Sequence, residues 1–260
     1  MLKVHVVAEV RSASNFSDSL RGGVFTSSLF YFQRKILFTM KWQLIPSSWV
    51  ITGGQMAYDA ELFKAFQMDS NPILRFFFFP KSTFTLGRLE ARRIPLDKLP
   101  LPYEIRPTGG RLVLHGEADL CYAIVACKDN SLVGGTLIES YCKISKLIAL
   151  GLQSLGRDVQ MTTEKHLGLG DPHCFSAPSQ AELTWRGKKI AGGAQAREGS
   201  IFLQQGVILL SVADDWRNVF PASSVENMAG LNDDVSLPMI KREELERALI
   251  RAFEVKGVEF

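Results

Sequence analysis

The sequence predicts an α+β fold built on a mixed β-sheet flanked by helices. Strand-like and helical patterns are interspersed along the chain, the second half is rich in hairpin signals, and no internal repeat is present. Residues 41–45 alternate like a short strand. Residues 55–66 set Met56, Ala60, Phe63 and Phe66 at helical spacing, with acids towards the start. Residues 73–79 form an apolar and aromatic run ending at Pro80, the pattern of a buried strand. Residues 82–86 alternate before Gly87, and the prolines of 95–102 mark a connection. A strand at 103–105 leads into Pro107-Thr108-Gly109-Gly110, followed by strands at 112–114 and 120–127. Residues 136–156 are the longest helical pattern, with Leu137, Tyr141, Ile144, Ile148 and Leu152 on one face. Three strands follow at 182–186, 189–197 and 202–210, turning at Gly187 and Gly199. A charged amphipathic helix at 241–255 is the last element.

With 260 residues, 46% hydrophobic and 22% charged, the chain can bury one large core without covalent staples. A net charge of +3 is too small for a polybasic nucleic-acid surface, though it suits an acidic protein partner. The four cysteines form no CxxC pair and the four histidines no HExxH or spaced ligand cluster. Reduced thiols and no metal centre are therefore expected. No apolar run approaches the roughly 18 residues that span a bilayer. The expectation is a cytoplasmic protein that binds neither nucleic acid nor membrane.

Residues 1–39 differ from the rest. They are rich in serine and scattered arginine, and Glu9, Arg11, Asp18 and Arg21 interrupt any secretory apolar core. That composition is faintly like an organelle transit peptide, whereas Met40-Lys-Trp-Gln-Leu-Ile-Pro reads as a clean beginning. The expected organisation is an N-terminal extension at 1–39, disordered or a misassigned translation start, and one domain at 40–260 with a C-terminal helix.

Two stretches can carry chemistry. In Arg106-Pro-Thr108-Gly109-Gly110-Arg111-Leu-Val-Leu-His115, paired glycines let the backbone approach a ligand, and the flanking arginines suit an anion. The same pattern also fits a tight turn with solvated arginines. The second stretch holds Cys174 in a proline-flanked loop, then Gly187-Lys188-Lys189-Ile-Ala-Gly192-Gly193-Ala194-Gln195 after a hairpin turn. Alternation sends one of Lys188 and Lys189 inward, where a cation could hold a carbonyl or lower a thiol pKa. A turn-adjacent lysine is expected to matter little to the core. A surface cysteine beside two solvated lysines is the plainer alternative.

Together these stretches resemble the lipoate-protein ligase A family of the biotin/lipoate protein ligase superfamily, closest to its cysteine-dependent octanoyltransferase branch. The likeness covers roughly residues 40–210. Arg106-Pro-Thr-Gly-Gly-Arg111 is similar to the family's acyl-binding loop, and Gly187-Lys-Lys189-Ile-Ala-Gly-Gly-Ala-Gln195 to its lysine signature. Cys174-Phe-Ser-Ala-Pro-Ser matches the branch's acyl-accepting cysteine. Three positions depart from the pattern: Ile105 stands where a second arginine is common, Gly193 replaces serine, and Gln205 replaces histidine.

The resemblance implies a ligase-like catalytic domain at 40–260. It also implies catalytic Cys174 and Lys189, and acyl- or substrate-binding Arg106, Thr108, Gly109, Gly110, Arg111, His115, Gly192, Ala194 and Gln195. The implied reaction moves octanoyl or lipoyl from octanoyl-acyl carrier protein to Cys174. The acyl group then passes to a lysine on a lipoyl domain of a 2-oxoacid dehydrogenase or on the glycine cleavage H protein. No tightly bound cofactor is needed on this route. Two alternatives share the fold: a lipoate ligase using lipoate, ATP and Mg through a lipoyl-adenylate, and a non-catalytic carrier-binding paralogue.

Overall fold

The computed structural model describes residues 4–8, 34–38, 40–49, 51, 53–162, 180–212 and 214–260. Strands β1 (Val4–Ala8) and β2 (Arg34–Phe38) pair antiparallel with each other and with no other described strand. The body of the fold starts at β3 (Met40–Lys41) and β4 (Gln43–Ile45). Helix α1 (Gln55–Ala65) crosses over to β5 (Ile73–Phe77), which runs parallel to β4.

Next come β6 (Thr83–Gly87), β7 (Tyr103–Arg106) and β8 (Val113–His115), a separate small sheet with β6 in the middle. The chain then returns through β9 (Leu120–Cys127), α2 (Leu137–Ser154), β10 (Val159–Met161), β11 (Leu183–Trp185), β12 (Lys188–Glu198) and β13 (Ile201–Ile208). The main sheet has the order β10-β11-β12-β13-β9-β5-β4, antiparallel except for β4–β5. Short helices α3 (Asp214–Val219) and α4 (Ala222–Val225) precede α5 (Arg242–Glu254). The last strand, β14 (Val258–Glu259), lies parallel to β3. The sheet is mixed, as the sequence predicts.

Successive side chains on a strand point to opposite faces. Leu74, Phe76, Leu120, Ile124, Phe202 and Ile208 point to one face and pack against Ile144, Ile148 and Leu152 of α2 and Leu245, Leu249 and Phe253 of α5. Ile73, Phe77, Val125, Leu203 and Val207 point the other way. They are covered by α1, by the small sheet through Phe84, Leu86 and Leu114, and by Trp216 of α3.

Two details depart from the sequence reading. The first turn of α1 holds no acid; the Met56 amide instead donates to the Glu104 carboxylate of β7 at 2.7 Å. That carboxylate satisfies one of the amides the helix start leaves open. On α2, Leu137 is 51% exposed and Tyr141 half-buried. Leu137 is the first residue after the Thr136 N-cap, inside the capping box that Thr136 forms with Glu139, and the buried stripe begins further along the helix. No described helix is long and apolar enough to cross a membrane.

Candidate functional site

The β11–β12 hairpin turns at Arg186 and Gly187, with φ of 52° and 76°. Lys188 is exposed beyond the turn, while Lys189 is only 1% exposed. Lys189 is held by its backbone: its amide donates to Asn227 O at 2.8 Å, and its carbonyl accepts from the Ala229 amide at 3.0 Å. Its Nζ lies 2.6 Å from Glu182 Oε2. The register slips at Leu183/Thr184, where Leu183 faces Ala191 and Thr184 faces Lys189, so β12 carries an extra residue. The bulge lays the Lys189 side chain over Gly192. A Cβ at Gly192 would sit 3.1 Å from Lys189 Cε and 3.2 Å from Glu182 Oε1, so a side chain there would crowd the ion pair. Lys189 is thus a core element, contrary to the expectation for a turn-adjacent lysine, and its partner Glu182 was not foreseen.

The 106–111 loop leaves the end of β7. Arg106 Nη1 donates to Thr85 O at 2.8 Å and Thr85 Oγ1 at 2.5 Å; Nη2 donates to Gly109 O at 3.1 Å and Arg111 O at 2.7 Å. The guanidinium is therefore turned into its own loop and braces it. Gly110 adopts φ of 94°, a left-handed conformation that side chains disfavour. Gly109 and Gly110 are exposed at the tip.

His115 lies behind this brace, on β8. Its Nε2 is 2.8 Å from Thr85 Oγ1, its Nδ1 is 3.3 Å from Cys121 Sγ, and its ring stacks on Phe79 at 4.7 Å. Thr85 Oγ1 also accepts from Arg106, so it joins the His115 ring to the loop brace. Burial, then the Arg106 charge, pushes the His115 pKa down to about 3, so the ring is neutral. Burial likewise pushes the Cys121 thiol up, the opposite of nucleophile activation. The structure brings His115 to the site only through Thr85 and Arg106.

Thr108, fully buried, ties the loop to the main sheet. Its hydroxyl donates to Gln205 Oε1 at 2.9 Å, and Gln205 Nε2 donates to Asp59 Oδ2 at 2.5 Å. The second Asp59 oxygen accepts from Arg75 Nη1, and Arg75 Nη2 donates to the Gln55 side chain. Arg75 also lies over the rings of Phe77 and Tyr58, at 4.2 Å and 4.8 Å from their centroids. Burial raises the Asp59 pKa to about 6 despite the Arg75 charge and the Gln205 bond, which pull it down. A charged residue inside the otherwise apolar run 73–77 was the available signal for this network. Asp59 shares its helix face with Met56 and Phe63.

Gln205 faces Ala194 across the β12–β13 pair, flanked by Gly192↔Val207 and Ala196↔Leu203. Gly192 and Ala194 therefore lie on the sheet face that carries Gln205 and its partner Thr108, with Lys189 packed against Gly192. Gln195 is not among them. Alternation turns it to the α2 face, where it donates to Gln204 Oε1 at 2.6 Å and accepts from Arg197 at 3.1 Å. Cys174 lies outside the described residues. The described residues that bracket its segment are joined, with the Ala181 amide 2.9 Å from Thr162 O and the Thr162 amide 2.9 Å from Glu182 O. Glu182 is the ion-pair partner of Lys189.

The family model of the lipoyl protein ligase A/B catalytic domain matches residues 53–254. An octanoyltransferase LipM from Carboxydothermus hydrogenoformans is 37% identical over 180 residues, which are 67% of this chain and 66% of that protein. The match thus spans about two thirds of that relative. A lipoate-protein ligase A solved with bound ATP superposes with a TM-score of 0.67 at 24% identity, covering 85% of this chain and 87% of the other. The bipartite lipoate protein ligase of Thermoplasma acidophilum, studied with its E2 lipoyl domain, gives 0.65 at 22% identity over 85% and 86%. At those identities the two structures establish the fold.

Proposed function

The chain belongs to the lipoyl protein ligase A/B catalytic domain family, and on that premise we propose that it transfers an octanoyl group to a lysine of a lipoyl domain through a thioester on Cys174. The octanoyltransferase relative supports the acyl group, and the ligase studied with an E2 lipoyl domain supports the acceptor. The observation that carries the reading is the buried Lys189–Glu182 pair, at the bracketed base of the Cys174 segment.

The Cys174 thiolate attacks the thioester carbonyl of octanoyl-acyl carrier protein, and the carrier leaves as its thiol after taking up a proton. The acceptor ε-amine then attacks the octanoyl–cysteine thioester, loses a proton, and releases the Cys174 thiolate. Splitting the transfer lets two large partners bind in turn. Lys189 Nζ, oriented by Glu182, donates to the acyl oxygen as negative charge develops on it. In this reading the acyl chain lies along the face of β12 that carries Gly192 and Ala194. Burying the six methylenes by which octanoyl exceeds acetyl, at ~0.8 kcal/mol each, gives roughly 5 kcal/mol of gross preference.

The ATP-dependent alternative needs cations aimed at an adenylate. Arg106 is instead occupied by Thr85 and its own loop. Residues 40–260 act as one catalytic unit in this reading. Met40 opens β3, which pairs with β14, so a chain starting there keeps that contact. The test is octanoyl transfer from the carrier to a lipoyl domain without ATP. Wild type should transfer, Cys174→Ala should not, and Cys174→Ser should retain very little. Transfer by Cys174→Ala with lipoate and ATP at the wild-type rate would replace this reading with a ligase.

A further inference from the structure

We propose that Gln205 is a positioning residue for acyl-donor selection, setting the gap between the 106–111 loop and the small-residue floor of the sheet through its bond to Thr108. The inference rests on the acyl-transfer reading and adds to it the device that sizes the acyl slot.

Gln205 is 4% exposed and lies on β13, between Ala194 of β12 and Ala123 of β9. A carboxamide can turn either way, but its neighbours decide the direction here. The ionised Asp59 carboxylate only accepts, so Nε2 must face Asp59. Oε1 then faces Thr108, whose hydroxyl must donate. Arg75 fixes the other end by donating to Asp59. The result is a one-way chain of donors and acceptors from the core of the α1 face to the ligand loop.

The other described ties of the loop run to the small sheet. Arg106 bonds Thr85 of β6, and the amide of Arg88, the residue after β6, donates to Thr108 O at 3.4 Å. The Thr108–Gln205 bond ties the loop to the main sheet, at the residue paired with Ala194. Without it the loop keeps its own shape but loses its set height over the floor.

The choice of residue follows from this geometry. A neutral histidine at 205 can accept from Thr108 and donate to Asp59. Methionine fills a similar length and does neither. Glutamate would set a like charge against Asp59.

The experiment measures kcat and KM of the full chain with octanoyl and decanoyl carrier thioesters, alongside thermal midpoints. Gln205→Met should raise KM for the octanoyl donor about five-fold, the factor one neutral hydrogen bond is worth. It should narrow the octanoyl preference by a similar factor and leave kcat within about two-fold. Thr108→Val removes the same bond from the loop side and should reproduce the change, including where Gln205→Met fails to fold. Gln205→His should restore wild-type KM and chain preference. Wild-type KM and preference in Thr108→Val, or a fall in kcat alone, would overturn the proposal even if the midpoint drops. A wild-type chain that transfers no octanoyl group would instead bring down the acyl-transfer reading, and this inference with it.

Discussion

The two faces of the main sheet solve burial differently. Towards α2 and α5, the sheet presents large apolar side chains such as Phe76, Ile124 and Phe202. Towards α1 and the small sheet, the same strands bury Arg75, Gln205 and Lys189, with Asp59 and Glu182 as partners. Apolar burial is forgiving of detail, because any well-fitting hydrophobe contributes. Buried polar groups tolerate little change, because each group left without a partner costs several kcal/mol. The first face therefore reads as the source of stability, and the second as the place where structure is committed to a ligand.

The largest expected effect is on the polar face. Lys189→Met should abolish transfer and also cost up to roughly 3–5 kcal/mol, because it removes the cation paired with the Glu182 carboxylate. Combining Lys189→Met with Glu182→Gln should recover most of that stability in denaturant titrations and none of the transfer. Turnover by the double variant at a wild-type rate would show that the pair is structural only. On the apolar face the dissociation should run the other way. Leu249, 1% exposed on α5, should cost about 2–5 kcal/mol as Leu249→Ala. KM for the acyl donor should stay at its wild-type value; a raised KM would mean the two faces are coupled.

A smaller effect is expected from pH, at a buried carboxyl beside the main sheet. Asp119, buried at the turn into β9, accepts from the Gly116 and Leu210 amides at 2.9 Å and 3.0 Å. Burial nonetheless raises its pKa to about 7. A carboxylate raised in the folded state holds its proton more tightly than in the unfolded chain. Its contribution is then greatest below its unfolded pKa and declines as pH rises through about 7. Lowering pH from 8 to 6 should stabilise wild type by roughly 1 kcal/mol relative to Asp119→Asn. Parallel stability profiles for the two proteins would contradict this.

Much of the fold was legible because hydrophobic period and turn residues mark most strands and the long helices. The inward lysine was legible as one of two, since alternation must bury one. Its position over Gly192 was not, because a bulge at Leu183/Thr184 breaks the period on which such a reading depends. Gln195 shows the same limit from the other side: it adjoins Ala194 in sequence, yet it faces α2. Asp59 and Arg75 pair between a helix and a strand, and only the tertiary arrangement reveals which acid meets which base. His115 sits beside a ligand loop in sequence but behind it in space, in contact with Cys121 and Phe79.

Acyl transfer through Cys174 requires a covalent octanoyl–enzyme. Its most direct test is the intact mass of the chain after mixing with octanoyl-acyl carrier protein in the absence of ATP, followed by peptide mapping. The account predicts a mass increase of one octanoyl group, located on Cys174, discharged by adding a lipoyl domain, and absent from Cys174→Ala. An unmodified enzyme that still octanoylates the lipoyl domain would contradict it.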